Sequence, residues 1–265
     1  MKKVFPVEFV YQLFSLIAAV IIVHAFYVAV VRPQADDLMQ QQADLMKADE
    51  NYVPKRSVYI LIRDFEQEAC FVLMIWAFAV MGYKGSAAIR ERRLLQEDLV
   101  PLAEGMRILP EDTRALSRRI QALPENVQDF LLPRALLTAL HRFSATRNIQ
   151  DVSSATRSIC ESESERLESE LSLIRYIAWA IPSIGFIGTV RGIGEALGQA
   201  HKAVEGDITG VTVSLGVAFN STLIALVISI VVMFIVHQLQ LIQERLVLDT
   251  EAYCDQKLIR HLKVP

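Results

Sequence analysis

The chain holds only three cysteines, and Cys70, Cys160 and Cys254 are too widely spaced to form a CxxC pair. No histidine stands near them in metal-ligand order. An odd, scattered set of this kind argues against a disulfide framework or a zinc site and reads as reduced thiols. There is no basic excess either. Lys and Arg number 27 against 30 Asp and Glu, a formal net charge of −3. Nucleic-acid binders show a basic stripe, so nucleic acid is not the expected partner. A nucleophile–base pair is also missing, and His24, His141, His201 and His237 are dispersed. The expectation is a protein that is not an enzyme and holds no metal or cofactor. No internal repeat or low-complexity segment is present.

What the sequence does have is apolar length. It is 52% hydrophobic, with a mean hydropathy of +0.32, yet 22% of its residues are charged. These figures are compatible if the apolar residues are gathered into long runs with the charges between them. Four such runs are found, at 7–31, 69–83, 171–200 and 211–238. A span needs about 20 apolar residues at roughly 1.5 Å each. The first run follows Lys2 and Lys3. It is about twice the usual apolar core of a signal peptide, roughly 7–15 residues, so it is expected to stay as a membrane helix. The second run is short. Val58, Ile62 and Phe65 have helical spacing ahead of it, so its helix is expected to begin outside the membrane and enter near Ala69. The polar stretch 201–210 joins the last two runs into a helical hairpin.

The expected fold class is therefore all-α: an integral membrane protein with four transmembrane helices and a helical cytoplasmic region. Positive charge near the membrane ends sets the orientation. Lys84, Arg90, Arg92 and Arg93 follow the second run, and Arg245, Lys257, Arg260 and Lys263 follow the fourth. Both termini are then cytoplasmic. The division is 1–31 as cytoplasmic start and first span, 32–68 as a periplasmic segment and 69–83 as the second span. Residues 84–170 are cytoplasmic, 171–200 the third span, 201–210 a periplasmic loop, 211–238 the fourth span and 239–265 a cytoplasmic tail. Residues 32–68 carry eight acids against five bases.

The 84–170 region is not a linker. It has only Gly85 and Gly105 as glycines, and mixes thirteen basic with fourteen acidic residues. Leu131, Leu132, Ala135, Leu136, Ala139, Leu140 and Phe143 recur at helical spacing. Pro101, Pro110, Pro124 and Pro133 divide it into short helices. The group Arg90, Glu91, Arg92 and Arg93 is a solvated surface, or meets lipid head groups or a partner.

The hairpin carries the candidate chemistry. Its first helix holds Gly185, Gly188, Gly192, Gly194 and Gly198 within fourteen residues, each costing about 1 kcal/mol of helix propensity relative to Ala. Four-residue spacing of small residues lets membrane helices approach closely. Pro182 removes a backbone hydrogen bond and is expected to kink the helix. The second helix has a small-residue stripe of Ser214, Ala218, Ser221, Ala225 and Ser229, expected to face a partner. Thr189 and Thr222 lie about ten residues either side of the outer turn, which puts both hydroxyls roughly 15 Å below the outer surface. With Asn220 and Ser221 they form the candidate ion pathway. The alternative is that each Thr bonds the carbonyl one turn back. Arg191 and Glu195 are one turn apart and are expected to pair, as interface anchors or as a gate at the outer mouth. No acid appears at the midplane of any expected span. A proton relay generally needs one, so a partner would have to supply it.

The segment from Gly185 through Thr189 and Gly192 to Ile193 resembles the GLxGTVxGI signature of the TolQ/ExbB side of the MotA/TolQ/ExbB proton channel family, and Pro182 falls where those proteins have a proline. The segment Gly216 to Leu226, with Thr222, resembles the family's fourth-helix motif. The resemblance spans about 50 residues, 181–230, and the four-span order is similar to the MotA branch. It implies a homopentamer around a dimer of a single-span ExbD/TolR/MotB-like subunit, whose membrane Asp takes up and releases H+ or Na+. It also implies that Thr189 and Thr222 line the pore, that ion flow drives rotation, and that the protein sits in the bacterial inner membrane among lipid. Arg191 departs from the pattern, standing where TolQ-like proteins have a large apolar residue. Val213 and Val217 lie where those proteins place a proline and a glutamate. The 84–170 region does not match the flagellar torque-transmitting loop, so a flagellar stator is not expected. A different class of protein, a non-conducting scaffold or sensor assembled through the glycine-rich hairpin, is the alternative reading.

Overall fold

The computed structural model describes residues 7–48, 57–101 and 107–264. Lys2, Lys3 and Gly105, used in the sequence reading, lie outside the described residues. The chain is all-α. A first helix, α1 (Val7–Phe26), passes through one π turn (Tyr27–Val31) into α2 (Arg32–Ala48). After it come α3 (Val58–Leu61), α4 (Phe65–Leu94), α5 (Thr113–Gln121), α6 (Glu125–Gln128), α7 (Leu131–Thr146) and α8 (Ile149–Glu170). The chain then forms α9 (Ser172–Gly198), the short α10 (Ala200–Val204) and α11 (Thr209–Lys257), a single 49-residue helix. Four helices are long and apolar enough to cross a membrane: Val7–Met46, Phe65–Leu94, Ile149–Gly198 and Thr209–His261. This is a multi-pass membrane protein.

The chain divides into two compact units, one from Met1–Met81 and Leu173–Val236, the other from Gly82–Ser172 and His237–Pro265. In the first, Ala19, Val23, Tyr27, Val31 and Ala35 repeat every four residues and are the buried face of α1 and its extension. Val23, Tyr27 and Val31 pack against Ile62, Phe71, Val72 and Ile75. The other faces expose Phe14, Ile21, Ile22 and Phe26, which suits lipid rather than water. Trp76 Nε1 donates to the Gln12 carbonyl at 3.0 Å, and the Tyr11 hydroxyl donates to the Ala79 carbonyl at 3.2 Å. Both polar ring atoms are thus satisfied. The helical spacing that begins at Val58 does not give one unbroken helix, because residues 62–64 separate α3 from α4.

The second unit has its own core. The apolar stripe of α7 is buried from Leu131 to Phe143. It packs with Val100, Ile108, Ile120 and Val152, and with Cys254, Leu258 and Leu262 from the C-terminal part of the chain. Ile108 and Leu262 form a parallel bridge, in which the Ile108 amide donates to the His261 carbonyl at 2.8 Å. Pro133 sits in the first turn of α7, where a missing amide costs little. Arg147 ends that helix in the left-handed conformation at φ 50°. The Asn148 side chain then caps α8 by accepting from the Gln150 amide at 2.9 Å. Glu91 accepts from the Leu131 amide at 3.1 Å, and Arg92 pairs with Asp249 at 3.2 Å. Two of the four charges at 90–93 therefore hold this unit together. All three cysteines are free and buried.

Candidate functional site

The centre of the first unit is the seam between α9 and α11. Gly185, Gly188 and Gly192 form one row, and Ala225, Ser221 and Ala218 form the row opposite. A Cβ added at Gly192 would stand 2.8 Å from the Ala218 amide nitrogen and from the Ser214 carbonyl oxygen. One at Gly188 would stand 2.6 Å from Ser221 Cβ. Real side-chain carbons do not come this close to backbone, so glycine is what allows the two helices to touch. The stripe expected to face a partner is thus used inside the chain, with Ser214, Ala218, Ser221 and Ala225 all buried. Two rows of small residues match each other better than either matches lipid or a bulkier partner.

Pro182 lies inside α9, and the helix continues through it. A proline at 182 cannot donate to the Ala178 carbonyl. Ser229 does so instead, from α11, at 3.2 Å. The last member of the small stripe therefore repairs the hydrogen bond that proline removes.

Thr189 and Thr222 lie to one side of the seam and are half-buried. Their hydroxyls hydrogen-bond each other. Thr189 Oγ1 also lies 3.1 Å from the Ala218 carbonyl and 3.3 Å from that of Gly185, and Thr222 Oγ1 lies 3.3 Å from Gly185 and 3.5 Å from Ala218. The one-turn-back bonds exist, but each carbonyl is within reach of both hydroxyls. Each hydroxyl has one proton and two lone pairs. The donor order can therefore reverse within the pair while both protons stay bonded. Ser221 and Asn220 do not join this pair. Ser221 lies in the seam, donates to the Val217 carbonyl at 3.0 Å and accepts from Gln67 Nε2 at 3.3 Å. Asn220 is two residues from Thr222, about 200° around the helix.

Arg191 pairs with Glu195 at 2.9 Å as expected. Its larger attachment is to Glu66, bound by Nε at 2.7 Å and by Nη2 at 2.9 Å in a two-pronged contact. Glu68, two residues on, accepts from Arg32 at 2.5 Å and lies 2.7 Å from His24 Nδ1. Arg32 also stacks over the Phe65 ring at 4.6 Å. Asp64, just ahead of α4, is pushed above the usual carboxylate range by burial, against the pull of Arg63 and Arg191.

Sequence reasoning missed Glu66, Gln67 and Glu68. The signal was in the length of the second apolar run. Fifteen residues reach only about 22 Å, short of a roughly 30 Å hydrocarbon core. The helix α4 starts ahead of that run, at Phe65, and carries Glu66 and Glu68 in its first turn. The Glu66 side chain reaches the surface of α9 beside Gly188, the residue before Thr189. Among the described residues no group of three or more His, Cys, Asp or Glu could hold a metal ion.

Residues 127–252 match the family model of the MotA/TolQ/ExbB proton channel family. That stretch is similar to the members of that family. It contains the whole α9–α11 seam and the threonine pair, and extends beyond the motif-bearing residues into α7 and α8. No curated protein and no solved structure matches the chain.

Proposed function

We propose that the chain is the ion-conducting subunit of a membrane motor. It works with a single-span partner whose membrane Asp carries the ion, and the ion-motive force is converted into rotation or other mechanical work. A homopentamer encloses a dimer of that partner, in the bacterial inner membrane, with both termini cytoplasmic. The protein has no enzymatic activity of its own. The observation that carries this reading is the Thr189–Thr222 pair. Two hydroxyls at one level, open on one side, with interchangeable carbonyl acceptors, suit brief hydrogen bonding to an ion, a water or a partner carboxyl. The family match supports proton-channel chemistry in an energy-transducing complex. The glycine row is occupied within the chain, which weighs against assembly of a scaffold through it.

The test is ion flux into liposomes containing both subunits. Thr189→Val and Thr222→Val should each reduce flux severely while leaving the oligomer intact on a sizing column, and Thr189→Ser should retain most of it. Unchanged flux in the double valine variant would remove the threonines from the pathway. Assembly with no flux from the unaltered pair of proteins would favour the scaffold.

A further inference from the structure

The second unit carries a basic cavity that plays no part in the threonine site. It lies between α5 and α7 and has a volume of about 220 Å³. The period of α5 builds one wall. Thr113, Ser117 and Ile120 are the buried row of that helix, and Ile120 packs into the core of the unit. Arg114, Arg118 and Gln121 form the next row round. His141 and Ser144, one turn apart on α7, line the other side. No Asp or Glu lines the cavity, and neither helix contains one. The nearest acids in sequence precede α5, and of these Asp112 accepts from the Leu109 amide at 2.9 Å. Elsewhere in this unit Arg92, Arg134, Arg157, Arg166 and Arg260 each hold a carboxylate. The guanidinium groups of Arg114 and Arg118 have no partner among the described residues. Ser117 is 7% exposed, and its hydroxyl is unpartnered as well. Among the described residues only Tyr27, Gln67 and Gln243 have side-chain polar atoms that are both closed off and unpartnered. The Ser117 oxygen is therefore open to the space that the residue lines.

We propose that Arg114, Ser117, Arg118 and His141 bind the phosphate group of a phosphate monoester. Two guanidinium groups supply charge and forked donors whose geometry matches phosphate oxygens. Ser117 and His141 add a hydroxyl and a ring donor. A monoester carries roughly two negative charges at neutral pH, which the two arginines balance. A carboxylate or a phosphodiester carries one. The cavity, at about 220 Å³, is smaller than the roughly 300–1,000 Å³ of a pocket that encloses a drug-sized ligand. It takes the phosphate group with its waters and leaves the rest of the ester outside. A small soluble ester and a lipid headgroup present that same group. The site does not depend on the ion-conduction reading, since none of its residues belongs to the threonine pathway.

The test uses the purified full-length protein in detergent, in a buffer free of phosphate and sulfate. Inorganic phosphate, phenyl phosphate and dimethyl phosphate are titrated calorimetrically, with sodium acetate at matched ionic strength as the control. Saturable heat is expected with phosphate and phenyl phosphate, and none with acetate. Dimethyl phosphate, a singly charged diester, should bind at least about tenfold more weakly. Arg114→Gln with Arg118→Gln should abolish binding. Ser117→Ala should weaken it about tenfold, the effect of one lost hydrogen bond to a charged group. Arg157→Gln, exposed on α8 and paired with Glu161, should bind like the parent. Circular dichroism of each variant separates lost binding from lost fold. Short-chain phosphatidic acid identifies the source. Binding about tenfold tighter than phenyl phosphate, and dependent on both arginines, assigns a lipid headgroup, whereas equal or weaker binding assigns a soluble ester; either result supports the site. No saturable binding of phosphate or of any monoester, or equal binding by the parent and the double variant, would overturn the proposal. An equal response to acetate or dimethyl phosphate would overturn the monoester assignment.

Discussion

Ser229 on α11 donates its hydroxyl to the carbonyl of Ala178 on α9, the group that Pro182 leaves without an amide. Proline and serine thus act as a pair across the seam. Ser229→Ala should lower stability by about 0.6 kcal/mol, and at most about 1.7, the range measured for side-chain bonds between membrane helices. In a Pro182→Ala background the restored amide takes the carbonyl, so the same serine change should cost little. Thermal unfolding of the four proteins in detergent measures this. Equal costs in both backgrounds would show that the two residues are not linked.

Glycines on the same helix should behave in opposite ways. Gly192→Val would drive carbons into the Ala218 amide and the Ser214 carbonyl, and should cost roughly 1–3 kcal/mol or prevent the hairpin from closing. Gly194 has nothing within 4 Å of an added Cβ. Gly194→Ala should therefore stabilise α9 by about 1 kcal/mol. Melting temperatures decide the matter, and a destabilising Gly194→Ala would mean that this face is covered by something outside the chain.

Arg191 and Glu66 should be coupled. The Glu66 side chain is only 11% exposed, so removal of its partner strands a carboxylate in poorly hydrated surroundings. Arg191→Leu should cost about 1–3 kcal/mol, discounted for the partial exposure of the arginine. The double variant with Glu66→Gln should recover roughly 1 kcal/mol or more of that loss. Strict additivity in the double-mutant cycle would reduce the contact to an incidental one.

The second unit should respond to pH through Glu91. Burial is the largest influence on its carboxyl and lifts it above the usual range, while the Leu131 amide and the nearby guanidinium groups act in the other direction. A carboxyl raised by folding favours the native state below its unfolded value, about 4.3. That contribution is lost as pH climbs through the raised native value. Glu91→Gln keeps an oxygen for the Leu131 amide but cannot ionise. Relative to the parent, it should gain melting temperature as pH rises from about 4 to 7, and gain nothing at pH 4. A difference that is flat with pH would contradict the burial effect.

The helices were largely legible from the sequence because their signals are local. The apolar stripe of α7, from Leu131 to Phe143, is buried as its spacing requires. The Thr189–Thr222 match followed from counting residues on either side of one turn. The interhelical partners were not legible in the same way. The stripe from Ser214 to Ser229 has a clear period, but a period does not say which neighbour covers it, and the neighbour was α9. Glu66 falls in the segment expected ahead of the second span, and its local sequence does not name its neighbour. Its contact with Arg191 joins residues 125 positions apart, a pairing that no local pattern encodes. The part played by Cys254 and Leu258 in the core of the second unit was hidden for the same reason.

The rows Gly185–Gly188–Gly192 and Ala225–Ser221–Ala218 meet with no spare volume, and this limits how the sequence can change. A methyl group can be added on one row only if one is given up on the other. Gly185→Ala, whose added methyl would meet chiefly the methyl of Ala225, should therefore be tolerated best alongside Ala225→Gly, and related sequences should exchange size across the seam in pairs while their total volume there stays constant.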